Sequence, residues 1–164
     1  MKERALRILL TEYERLDELT EPQALLVKEA IEAAKNAYAP YSAYKVGAAV
    51  RLQNGVIITG NNQENAAYPS GLCAERVAVF YASSQYPDIP VDALAITAIQ
   101  NGSLQEEPVS PCGGCRQVLL EKENQGNSPM QVILFGSKRI QVLSRASDLL
   151  PLPFTDFISP RTNP

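Results

Sequence analysis

Three cysteines, Cys73, Cys112 and Cys115, stand in a chain that has no histidine. Cys112-Gly113-Gly114-Cys115 follows Pro111, a residue that suits the start of a helix. The spacing sets the two sulfurs about one turn apart, so both can converge on one ion, and the glycines are expected to keep bulk away from it. Cys73 opens another predicted helix, where the positive N-terminal potential favours the thiolate that a metal binds. Three thiolates would hold one Zn²⁺ and leave a fourth position open. Structural zinc sites are usually closed by four protein ligands, whereas catalytic ones keep a place for water, whose pKa the metal lowers to about 7. Glu75, two residues after Cys73, is the candidate proton carrier beside that water. Alone, the Cys112–Cys115 pair also reads as a redox pair or half of a structural site, and Glu75 as a solvated helix carboxylate. The joint pattern decides for catalytic zinc.

Composition narrows the rest. Without histidine, no Ser-His or Cys-His nucleophile and no imidazole-ligated metal can be built. An odd cysteine count without a secretory leader pattern disfavours a disulfide framework. A zinc-holding interaction module would call for a fourth Cys or His ligand, which the sequence lacks. The net charge of -3 argues against a long phosphate-backbone contact and favours a small substrate over a nucleic acid polymer. No stretch approaches the roughly 20 apolar residues of a membrane span, so the expected location is cytoplasmic and no membrane partner is expected. With 164 residues, the chain is expected to form one domain, 1–164, with residues 1–20 as an N-terminal extension of open structure.

These groups must be positioned by alternating elements. Leu26, Ala30, Ala33, Ala34 and Ala37 recur at helical spacing, which predicts a helix over 20–38, capped by Thr20 and ended by Pro40. Residues 46–52 and 56–59 read as strands joined by Asn54-Gly55, a strong hairpin signal. Helices are predicted over 74–81 and 115–122, strands over 93–99, 131–135 and 140–143, and a short helical piece over 148–151. Residues 6–13 fit an edge strand or a first helix, because Ile8, Leu9 and Leu10 suit either. The pattern predicts an α/β fold, a three-layer α-β-α sandwich around a central mixed sheet. The Pro-rich tail with Phe154, Phe157 and Ile158 is too apolar for a free linker.

Cys73-Ala74-Glu75 with Pro111-Cys112-Gly113-Gly114-Cys115 resembles the signature of the cytidine deaminases. The resemblance extends through Ala37-Tyr38-Ala39-Pro40-Tyr41-Ser42, Val46-Gly47-Ala48-Ala49, residues 62–69 and Cys115-Arg116-Gln117-Val118. It implies hydrolytic deamination of free cytidine and deoxycytidine, with a zinc-held hydroxide attacking C4 and Glu75 shuttling protons. By the same resemblance, Asn62 and Glu64 bind the sugar hydroxyls, and Tyr44 stands where the family usually has Phe against the base. Ala74 offers a backbone N–H to the base carbonyl, and the Ser110 carbonyl accepts from the leaving amine. Arg76 offsets the charge of the sulfurs from the next layer out. The resemblance further implies a homotetramer in which Phe154 reaches a neighbouring subunit's pocket, and a role in pyrimidine salvage.

Overall fold

The computed structural model describes residues 1–155, so Phe157 and Ile158 lie outside it. Its strands are β1 (Leu10–Tyr13), β2 (Tyr44–Leu52), β3 (Ile57–Asn61), β4 (Val91–Gln100), β5 (Ser103–Leu104), β6 (Gln131–Phe135) and β7 (Ile140–Leu143). The helices are α1 (Glu21–Lys35), α2 (Ala74–Gln85) and α3 (Gly113–Gly126). The sheet runs β1-β7-β6-β4-β2-β3, with β5 added to β4. Among the strands of the described residues only β4 and β6 pair in parallel, and α3 makes the crossover that such a pair requires. The mixed sheet between helices is the predicted α/β sandwich.

Residue types explain the layers. Side chains alternate across β2 and β4, so each strand feeds two cores. One face of the sheet gathers Ala49, Ala93, Ala95 and Ile133 with Leu26, Val27 and Ala30 of α1. The other gathers Ala48, Val50, Leu94 and Ile96 with Ala74, Ala78 and Val79 of α2 and Leu119 of α3. Two glycines let the helices sit close. A Cβ at Gly47 would lie 2.0 Å from the Ala30 carbonyl oxygen in α1, and one at Gly60 would lie 2.5 Å from the Ala78 nitrogen in α2.

Thr20 caps α1 through a capping box, its N–H donating to Gln23 Oε1 at 3.0 Å. The helix stops at Lys35, five residues before Pro40, the predicted terminator. Its last carbonyls accept from the Asn36 and Ala37 amides and, at two positions, from side chains of the sheet. Asn61 Nδ2 donates to the Ala33 oxygen and Lys45 Nζ to the Lys35 oxygen, each at 3.0 Å. Residues 10–13 resolve the open choice at the N-terminus as an edge strand, antiparallel to β7. At the far end of α3, the buried Glu123 carboxylate accepts from the Met130, Ala146 and Ser147 amides at 2.9, 2.6 and 3.2 Å. That one side chain fixes α3 to the entry of β6 and to the turn after β7.

Candidate active site

The site lies where α2 and α3 begin. Cys73 is the N-cap of α2, Cys112 is the N-cap of α3, and Cys115 sits in the first turn of α3. Both helices therefore aim their positive ends at the sulfurs. The three Sγ atoms lie within 4.8 Å of one another, and Cys73 Sγ is 3.8 Å from Cys112 Sγ. Tetrahedral zinc with Zn–S near 2.3 Å holds its sulfurs about 3.8 Å apart. The donor set, all soft thiol sulfur, and its spacing thus fit zinc, and none of the three cysteines is in a disulfide.

The surroundings favour sulfur anions. The Cys73 thiol is lowered to about 5, first by its hydrogen bond with the Cys115 thiol and then, against the cost of burial, by Arg76. Arg76 Nη2 stands 3.7 Å from Cys73 Sγ, where the sequence placed its compensating charge. The Cys115 thiol is raised, because it donates to Cys73 and is itself desolvated. Arg116 fastens the ligand loop: its Nε donates to the Pro111 oxygen at 2.9 Å and its Nη1 to the Leu149 oxygen at 3.0 Å. A Cβ at Gly113 or Gly114 would meet no atom within 4 Å, so packing within the chain does not require glycine there.

Glu75, on the first turn of α2, is only 5% exposed. Burial raises its pKa, and the negative charge of Cys73 adds to the rise. A carboxyl so displaced toward neutrality can both take and return a proton. It lines a cavity of about 450 Å³ that Cys73, Ala74, Arg76, Ser110 and Cys112 share with Tyr44, Asn62 and Glu64. Burial also raises the Tyr44 hydroxyl. Asn62 is largely committed to the backbone of β2: its Oδ1 accepts from the Val46 N–H at 2.7 Å and its Nδ2 donates to the Tyr44 oxygen at 2.9 Å. Phe154 does not line this cavity. It is 60% exposed, and its carbonyl accepts from Gln117 Nε2 at 2.8 Å.

A zinc-ready triad of sulfurs beside a buried carboxylate has a counterpart in known proteins. Residues 20–125 match the family model for the cytidine and deoxycytidylate deaminase zinc-binding region. The chain belongs to that family. It is 45% identical over 97 residues to a cytidine deaminase of Halalkalibacterium halodurans, a match spanning 59% of this chain and 69% of that one. A Mycobacterium tuberculosis cytidine deaminase is 41% identical over 98 residues, 59% of this chain and 68% of its own. The crystal structure of a Burkholderia pseudomallei cytidine deaminase superposes with a TM-score of 0.70 at 37% identity, covering 83% of this chain and all of that one.

Several wall residues had no role in the sequence reading. Tyr68, Leu72 and Val109 line the same cavity but carry no recognisable chemistry. Ser42 stood inside a quoted motif. Its only signal was a hydroxyl next to Tyr41, and its partner is 22 residues away.

Proposed function

We propose that this chain is a zinc-dependent enzyme that hydrolyses the exocyclic C4–N bond of free cytidine and deoxycytidine, giving uridine or deoxyuridine and ammonia. One observation carries the reading: a buried Glu75 beside three converging sulfurs, in a cavity that an ionised Glu64 also lines. Cys73, Cys112 and Cys115 hold the metal. When bound, zinc supplies the Lewis acidity that makes water nucleophilic near neutral pH. Glu75 takes the proton released as water adds at C4, delivers it to N3, and then passes a proton to the departing amine. The Ala74 N–H holds the base carbonyl, the Ser110 carbonyl accepts from the amine, and the Tyr44 ring packs on the base. Arg76 tempers the negative charge of three thiolates on a divalent ion. Asn62 and Glu64 hold the sugar. An anionic Glu64 there disfavours a 3′- or 5′-phosphate and so separates nucleosides from nucleotides and polymers.

The test is direct. Purified enzyme is given cytidine, deoxycytidine and deoxycytidylate, and uracil products are followed with and without a chelator. Turnover of the nucleosides that stops with chelator and returns with zinc is expected. Turnover confined to deoxycytidylate, or unaffected by loss of metal, overturns the reading.

The same proposal includes a single domain over 1–164, a homotetramer with shared pockets, and work in cytoplasmic pyrimidine salvage. Tyr38, Tyr41, Tyr68, Phe80, Tyr81 and Phe154 are all exposed, more aromatic surface than a small monomer normally leaves to water. Symmetric association would cover it. If Phe154 closes a neighbour's pocket, Phe154→Ala weakens substrate binding with zinc intact, mixing it with Glu75→Gln chains regenerates some competent sites in hybrids, and a fully active monomer excludes the scheme. Free cysteines suit a reducing compartment, and no helix among the described residues is long and apolar enough to cross a membrane.

A further inference from the structure

The loop joining α1 to β2 crosses over residues 61–65, and backbone bonds bind the two segments. The Tyr38 N–H donates to the Asn62 oxygen at 3.1 Å, and the Glu64 N–H donates to the Tyr38 oxygen at 2.9 Å. On this frame the Glu64 carboxylate is gripped from one side. Its Oε2 accepts from the amides of Tyr41 and Ser42 at 2.9 and 3.3 Å, and its Oε1 accepts the Ser42 hydroxyl proton. Ser42 Oγ in turn accepts from the Tyr44 N–H at 3.0 Å. The chain can make that return because Ala43 lies in the left-handed region at φ 53°.

We propose that Ser42 is a positioning residue for substrate selection: it orients the Glu64 carboxylate so that one remaining lone pair, on Oε1, accepts a hydroxyl of the nucleoside sugar. The count follows from the chemistry of the groups. A carboxylate offers about four acceptor sites, and three are occupied here by Tyr41, Ser42 and the Ser42 hydroxyl. The hydroxyl has one proton, which Glu64 takes, so it cannot turn to compete for substrate. Because the same oxygen receives the Tyr44 amide, one serine sets the distance between the sugar-side carboxylate and the residue placed against the base. Glu64 then demands a donor from its ligand and rejects an anion. Without the Ser42 hydroxyl the carboxylate would be held through Oε2 alone, by the Tyr41 and Ser42 amides, and Oε1 would lose the bond that fixes its direction.

This inference rests on the proposed function, in which Glu64 faces the sugar. Its test is a double-mutant cycle on the zinc-loaded enzyme, with zinc content measured for every variant. Ser42→Ala is expected to raise KM for cytidine about tenfold, the scale of one hydrogen bond to a charged group, with kcat little changed. Ser42→Thr, which keeps the hydroxyl, restores KM. In a Glu64→Ala background the Ser42→Ala change adds nothing, and it also has no effect on a cytidine analogue lacking the sugar hydroxyl that Glu64 accepts. An equal Ser42→Ala penalty with and without Glu64, or no penalty at all, overturns the positioning role while leaving the deaminase reading intact. A Glu64→Ala enzyme with unchanged KM removes Glu64 from the sugar and the inference with it.

Discussion

The metal cluster and the proposed sugar site are held by different forces. At the metal cluster the ligands sit on the first turns of α2 and α3, and α2 rests on the sheet through fully buried Ala74 and Ala78 against Gly60. Close packing there leaves little room for displacement. At the sugar site Tyr41, Ser42 and Glu64 lie on loops open to water and are ordered by hydrogen bonds across 22 or 23 residues of sequence. The contrast follows from what each site must do. The proton transfer proposed for Glu75 calls for precise placement in a water-poor setting, and its frame is the core. Sugar recognition must let the substrate enter and leave, so its frame is a solvated network whose loss costs affinity before it costs chemistry.

That contrast can be broken most severely at the metal cluster. Cys115→Ala removes the buried ligand, so stoichiometric zinc and turnover should both vanish, as metal analysis and a uracil-product assay would reveal. Retained zinc with activity would mean that two sulfurs suffice. Next in size, Glu75→Gln should keep zinc and nucleoside binding but lose at least about 10²-fold in kcat, the usual scale for a positioned acid/base. A near-normal rate would move the proton carrier elsewhere.

A third change attacks the frame instead of the chemistry. Gly60→Ala places a Cβ 2.5 Å from the Ala78 nitrogen, and the overpacking should lower stability by about 1–3 kcal/mol in denaturant titration. An unaltered midpoint would show that α2 can lift without cost. The mildest effect belongs to the sugar site. Hydrogen bonds, first from the Ser42 hydroxyl and then from the Tyr41 amide, hold the Glu64 pKa below its ordinary 4.5. The carboxylate is therefore ionised above that lowered value and is protonated only as pH falls through it. KM for cytidine should stay flat from neutrality down to about pH 5, where an unheld carboxylate would begin to lose its charge. A rise of KM already between pH 6 and pH 5 would show that the loop does not stabilise the anion.

Local signals were legible along the chain. The three cysteines pointed to a soft metal and Glu75 to a candidate proton carrier, since ligand chemistry is a property of residue type. Asn54-Gly55 announced the β2–β3 turn, and Thr20 the start of α1, because turn and cap preferences are set within a few residues. The end of α1 was not legible: two of its final carbonyls accept from Lys45 and Asn61, which only the folded sheet brings near. Nor could Ile8-Leu9-Leu10 declare an element, for an apolar triplet suits either; the strand begins only at Leu10, where β7 offers an edge, and leaves Ile8 and Leu9 outside it. Ser42 and Glu64 stood in separate motifs and Glu123 in none, and nothing local to any of them says which partner it takes. Their partners come from distant segments, so the sequence supplied the groups and the tertiary structure alone decided which hydrogen bonds they make.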